Sequence, residues 1–230
     1  LRIQGGARLS GTLAVDGSKN ASLPAMAAAI LSTDTVQLRD VPPLSDINNM
    51  VRLLGEIGCE VVHDDRTMTI RTVDPTANHA RYDIVRTMRA SICVLGPLLA
   101  ARGEARVSMP GGCAIGDRPV DLHLRGLEAL GATITLDGGD IIARADKLKG
   151  ATIFLGGPFG STVLGTANVM SAAVLAEGTT IIESAACEPE ITGLADMLNG
   201  MGADVSGAGT PRIEIHGVES LGNVDYQVIP

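Results

Sequence analysis

The chain has 230 residues, of which 45% are hydrophobic and 2% aromatic, with no tryptophan, so its core must be built from Ala, Val, Leu, Ile and Met. A formal net charge of −8 with 18 basic residues excludes a broad phosphate-backbone footprint and hence nucleic acid as a partner, while leaving room for a few well-placed cations and a small anionic ligand. The longest apolar stretches fall far short of the roughly 18 residues of a membrane span, and the four cysteines show no CxxC pair, which reads as reduced thiols in the cytoplasm.

Residues 1–18, "LRIQGGARLSGTLAVDGS", read as strands ahead of the first unit, and they lack the apolar core of a signal peptide. "DGSKNASLP" follows. Ser18 or Asn20 is placed to cap the helix that begins there, which puts Lys19 at its N-terminal end. Free backbone N–H groups, the positive end of a helix dipole and an ammonium then converge on one point, as an anion requires. The helix itself, "LPAMAAAIL", has almost no polar face and should be buried on most sides.

From here the chain repeats itself. "NNMVRLLGEIGCEVVHDDRTMTIR", "LHLRGLEALGATITLDGGDIIAR" and "TGLADMLNGMGADVSGAGTPRIEIHG" each show an apolar helical pattern, a closing glycine, a strand, a polar turn and a second strand. The closing glycines Gly58, Gly131 and Gly202 are 73 and 71 residues apart. Upstream of each lies an apolar helix and a strand, "VQLRD", "ARVSM" or "TTIIES". The unit is α-β-α-β-β three times over, an α/β (α+β) architecture in which stacked units bury a continuous core around their helices. The last segment, "DYQVIP", reads as a strand with no partner in view.

Before the second apolar helix, "YDIVRTMRAS" places Arg86 and Arg89 on one side; before the third, "FLGGPFGSTVLGTA" is glycine-rich. All three units thus put anion-friendly residues where an apolar helix begins, a single rim around one cavity. Between the second unit's strand and helix, "RVSMPGGCAIGDRPVDLH" carries Cys113 behind two glycines, with Arg118 and His123 close in sequence. A thiol is largely protonated at neutral pH and can serve as an acid, and neighbouring cations also make it nucleophilic. A packed cysteine in a turn, or a Cys113–His123 pair of hydrolase type, are the other readings of the same residues. Cys59 opens a strand, Cys93 lies in an apolar helix and Cys187 in a loop before "EPE". "HDD" at 63–65 reads as a hairpin turn, and no metal or cofactor is expected.

"DGSKNASLPAMAAAIL", "YDIVRTMRAS", "MPGGCAIGDRPVDLHLRGLEALGA" and "VMSAAVLAEGTTIIESAACEPEI" closely resemble the UDP-N-acetylglucosamine 1-carboxyvinyltransferases, the enolpyruvyl transferases that open bacterial peptidoglycan synthesis. The likeness runs over essentially the whole chain. Shikimate-type enolpyruvyl transferases share the threefold architecture but as a rule lack this cysteine loop. The resemblance implies an inside-out α/β barrel of two similar halves. Residues 1–18 would be strands crossing to the second domain, 19–228 the cysteine-loop domain with repeats at about 19–75, 82–145 and 151–217, and 229–230 the start of the crossing back.

It also implies the substrates phosphoenolpyruvate and UDP-N-acetylglucosamine. Cys113 then matches the proton donor, which can also add covalently to phosphoenolpyruvate and is the target of fosfomycin. Lys19 and Arg118 match phosphate-holding groups, and Asn20 a residue that orients phosphoenolpyruvate. Arg89, the run Arg118, Pro119, Val120, Asp121 and Leu122, and His123 match positions lining the sugar-nucleotide site. Where many members carry a lysine before the third inner helix, this chain reads "PFGSTVLGT", leaving the backbone of Ser161, Thr162 and Val163 to cradle the diphosphate. The base for the sugar hydroxyl and further arginines are expected from the other half, so these residues alone should show no significant turnover. The competing readings are a shikimate-type transferase and a non-catalytic repeat module.

Overall fold

The structure, a computed structural model, describes residues 2–6, 8–110, 120–158 and 160–230. Three helical segments are buried on every face away from their ends: α1 (Lys19–Ala28), a 3-10 turn at Arg89–Val94 running into α4 (Leu95–Arg102), and α6 (Val163–Ala173). They pack on one another in the middle of the molecule, as their lack of a polar face demands. A second set, α2 (Ser45–Glu56), α5 (Asp121–Ala129) and α7 (Pro189–Gly200), packs against them. These are amphipathic: in α2 only Ile47, Met50, Leu53 and Leu54 are buried, at helical spacing.

Around the helices stand three four-stranded sheets. The first joins β1 (Val36–Arg39), β2 (Cys59–Asp64) and β3 (Thr67–Thr72) with β12 (Val224–Gln227), in the order β12-β1-β3-β2. The second runs β4 (His79–Ala80), β5 (Glu104–Ser108), β7 (Asp140–Arg144), β6 (Thr133–Asp137). The third runs β8 (Thr152–Phe154), β9 (Thr179–Glu183), β11 (Arg212–His216), β10 (Asp204–Ser206). Alternate residues point inward, as the pleat requires: Val36 and Leu38, Ala105 and Val107, Ile213 and Ile215 are all buried. Helices inside and sheets outside make an inside-out α/β barrel. Gly58, Gly131 and Gly202 close the outer helices at φ of +81°, +96° and +103°, a region L side chains rarely adopt.

Three expectations need correction. Each unit opens with a short edge strand, and the repeat is β-α-β-α-β-β. The inner helix is a crossover between parallel strands, β4 to β5 and β8 to β9. In the first unit that opening strand comes from the far end of the sequence. The segment "DYQVIP" does have a partner: β12 lies parallel to β1, and the carbonyl of Ile229 accepts from Ser18 N at 2.6 Å, at the threshold of α1. In contrast, residues 2–6 and 8–15 form no strand and are exposed, with Ile3, Leu9 and Leu13 each about nine-tenths accessible. A strand needs an edge to pair with, and none among the described residues receives this one.

Where β5 ends, Asp140 is buried with three partners. Ser108 Oγ and Arg106 Nε each donate at 2.5 Å, and His79 Nε2 lies 3.3 Å away. Burial by itself would raise the carboxyl, but these hydrogen bonds and the charges of Arg106 and His79 outweigh it, so Asp140 titrates below the usual carboxylate range. A depressed folded pKa contributes stability above the unfolded value, near 4, and loses it as pH falls through the folded one. Asp140→Asn should therefore lower stability at pH 7 by about 1–3 kcal/mol, and the difference from the parent should shrink below about pH 4 in denaturant titrations.

Candidate active site

Every described candidate residue sits in the first turn of a helix or in the segment entering it. Ser18 occupies the N-cap position of α1, without a side-chain cap bond, and the helix starts at Lys19. Lys19 is about two-fifths exposed and its Nζ lies 2.8 Å from Asp46 Oδ2, in the first turn of α2. Asn20 is exposed beside it. Arg89 opens the 3-10 turn that leads into α4. Val120, Asp121, Leu122 and His123 form the entry and first turn of α5, with Leu122 lying against Gly157. Thr162 caps α6, its Oγ1 accepting from Gly165 N at 3.2 Å, with Ser161 exposed before it and Val163 first in the helix. Cys113, Arg118 and Pro119 lie outside the described residues.

The three inner helices begin at one end of the molecule. Their last turns line a single cavity of about 680 Å³ at the other end, through Leu31, Leu99, Arg102 and Leu175. None of the described candidate residues reaches that cavity, where three helix C-termini bring partial negative charge beside Arg102 and Lys147. Away from that cavity the helix starts carry partial positive charge, and Lys19 and Arg89 stand at two of them. That arrangement suits phosphate and carboxylate oxygens.

One buried side chain ties three of these helix starts together. Asn168, in the second turn of α6, is fully inaccessible. Its Oδ1 accepts from Gly96 N at 2.6 Å, and its Nδ2 donates to the carbonyl of Ile92 at 2.9 Å and lies 3.0 Å from His123 Nδ1. In an unbroken helix Gly96 N–H would donate to the Ile92 carbonyl, and Pro97, lacking N–H, cannot extend the ladder. The amide fills that gap from outside, and the preceding turn tightens to 3-10 where the sequence suggested one apolar α-helix. His123 is buried, and its pKa is pushed down to about 4, first by burial and then by the charge of Arg89, with Asp121 pulling the other way.

Sequence reasoning missed Asn168 and Asp46. An asparagine inside "TANVMSAAVLA" was a visible signal, since a polar amide in an otherwise apolar helix needs partners. Asp46 gave none, because an acid in a first turn is ordinary on electrostatic grounds. Among the remaining thiols, Cys59 and Cys93 are buried, and burial pushes the Cys93 thiol up to about 12. Cys187 is exposed just before α7. Among the described residues no group of three or more His, Cys, Asp or Glu could hold a metal ion, and no helix is long and apolar enough to cross a membrane.

Comparison with known proteins gives this arrangement its relatives. The chain is 51% identical over 227 residues to a UDP-N-acetylglucosamine 1-carboxyvinyltransferase of Methylacidiphilum infernorum, and 50% identical over 231 residues to one of Akkermansia muciniphila. It spans about half the length of these relatives, 54% in each case. Among solved structures, the enolpyruvyl transferase NikO from Streptomyces tendae superposes with a TM-score of 0.84 at 25% identity, over 99% of this chain and 54% of that one. The EPSP synthase of Acinetobacter baumannii does so at 0.75 and 19%, over 95% of this chain and 49% of its own, a likeness of fold. A sequence profile of the family described as EPSP synthase (3-phosphoshikimate 1-carboxyvinyltransferase) matches residues 3–230, and the chain belongs to that family.

Proposed function

We propose that this chain provides the cysteine-loop half of an enolpyruvyl transferase. The whole protein would move the enolpyruvyl group of phosphoenolpyruvate to the 3-hydroxyl of UDP-N-acetylglucosamine and release phosphate. What supports the acceptor most is the level of identity, about 50% over nearly the whole chain, to proteins named for that sugar nucleotide. The shikimate 3-phosphate alternative draws on the family's description, but the solved structure of that type is only 19% identical. The reading places the protein in the cytoplasm, at the first committed step of peptidoglycan synthesis.

In this reaction a proton is added to the methylene carbon of phosphoenolpyruvate and the sugar O3 attacks the adjacent carbon. The tetrahedral adduct then loses a methyl proton and inorganic phosphate. Cys113 is the proton donor and can form a covalent adduct; Lys19 and Arg118 hold the phosphate as its charge changes. Asn20 orients phosphoenolpyruvate. Arg89, Arg118, Pro119, Val120, Asp121, Leu122 and His123 line the sugar-nucleotide side, and the backbone of Ser161, Thr162 and Val163 at the start of α6 receives the diphosphate. Residues 1–18 and 229–230 are the crossings to a second domain, which supplies the base for the sugar hydroxyl, and 19–228 is the domain carrying these groups.

The intact protein should release phosphate with phosphoenolpyruvate and UDP-N-acetylglucosamine and not with shikimate 3-phosphate, and fosfomycin should alkylate Cys113 selectively by mass spectrometry. Residues 1–230 alone should give no significant turnover. Near-normal rates from residues 1–230, activity with the shikimate acceptor, or no adduct at Cys113 would each count against the assignment, the last favouring a non-catalytic module.

A further inference from the structure

The buried amide of Asn168 fixes where the proton of His123 resides. Gly96 N–H can only donate and the Ile92 carbonyl can only accept, so Oδ1 must face Gly96 and Nδ2 must face Ile92. A flipped amide would set donor against donor and acceptor against acceptor, both fully buried. With Nδ2 so assigned, the group 3.0 Å from His123 Nδ1 is an N–H, and Nδ1 must be the unprotonated nitrogen. A neutral imidazole has one proton, which is then on Nε2. A protonated ring would place N–H against N–H between two buried side chains.

We propose that Asn168 is a positioning residue that holds His123 as a neutral Nε2–H imidazole, so that the start of α5 offers a hydrogen-bond donor and never a base. The proposal rests on the reading that this turn lines the sugar-nucleotide site. Its ligand is then an oxygen acceptor of that substrate, and the proton of the sugar hydroxyl has to be taken by another group. It also excludes His123 as the imidazolium partner of the Cys113 thiolate. Among the described residues, the charged groups acting on the ring are Arg89 from the 3-10 turn and Asp121 from α5; α6 contributes the uncharged Asn168. Arg89, the larger of the two influences, reinforces the neutral form. The donor therefore persists through the pH 5–8 range in which an ordinary histidine titrates.

The test is heteronuclear NMR of the intact protein labelled with ¹⁵N in its histidine rings. At pH 7 the ring of His123 should show a protonated Nε2 and a bare Nδ1, should not titrate down to pH 5, and should shift when UDP-N-acetylglucosamine is added. Asn168→Asp, which turns an acceptor toward the ring, should move the proton to Nδ1 and bring the titration up into the pH 5–8 window. His123→Gln, whose amide N–H can stand in for Nε2–H, should keep about ten-fold more kcat/KM than His123→Leu. An Nδ1–H or imidazolium signal at pH 7 in the parent, no shift with the sugar nucleotide, or equal losses in the two His123 variants would overturn the proposal. Turnover by the same preparation reports separately on the transferase reading: an active enzyme with the wrong tautomer sinks this inference alone.

Discussion

Lys19→Ala should lower kcat/KM of the intact protein by about 10²–10³-fold, while its melting temperature barely moves. The two halves of that expectation come from different parts of the structure. Lys19 and Asp46 form an ion pair at 2.8 Å, with side chains 41% and 31% exposed. Pairs this accessible contribute about 0–1 kcal/mol to folding, because water already solvates both charges well. The ammonium matters for another reason. It stands at the first residue of α1, where the helix start adds partial positive charge. A phosphate arriving there must draw Nζ away from, or share it with, the Asp46 carboxylate. In the proposed reaction the charge on the phosphate grows as the bond to the enolpyruvyl carbon breaks, so the cation would stabilise the transition state more than the bound substrate. The loss should accordingly appear in kcat as well as KM. Lys19→Arg should recover part of it, because the charge returns on a planar fork in place of a compact ammonium. A loss confined to stability, with kcat/KM intact, would show that Lys19 is only a surface partner of Asp46.

The fold was legible wherever a residue's role is set by its own neighbours in sequence. The closing glycines Gly58, Gly131 and Gly202 announced the repeat because each must take a positive φ, and all three do. Apolar runs without a polar face announced the inner helices, since nothing but complete burial suits them. The opening strands were illegible for a physical reason: His79–Ala80 and Thr152–Phe154 are too short for alternation to register. The pairing of β12 with β1 joins residues nearly 190 positions apart, and no local pattern encodes which edge a strand will find. The site divides in the same way. Lys19, Arg89, His123 and Thr162 were legible as helix-start residues, because helix starts are visible in sequence. Asp46 and Asn168 went unseen because they become partners only in three dimensions, 27 positions from Lys19 and 45 from His123.

Gly96→Ala should destabilise the protein by about 3 kcal/mol or more, or prevent folding altogether. A Cβ at Gly96 would lie 2.2 Å from the carbonyl oxygen of Asn168, 2.6 Å from its Oδ1 and 3.0 Å from its carbonyl carbon. Two of those three atoms belong to the backbone of α6, which is buried from Gly165 to Ala173 and cannot retreat without pulling on the helices around it. The damage should also spread to the candidate site. Parting α4 from α6 breaks the bond from Gly96 N to Asn168, and with it the hold on His123. Gly55→Ala supplies the opposite sign with the same chemistry: Gly55 lies exposed in α2, and a methyl there would meet nothing within 4 Å, so the change should stabilise by about 0.5–1 kcal/mol. Melting temperatures should therefore diverge, falling by about 6–12 °C for Gly96→Ala, if it folds, and rising by a few degrees for Gly55→Ala. The double variant Gly96→Ala/Asn168→Ala separates the causes further. It removes Oδ1 but leaves the carbonyl oxygen in place, so it should not regain stability. Recovery in the double variant would mean that the side chain of Asn168, and not the close approach of two helix backbones, is what demands glycine at this position.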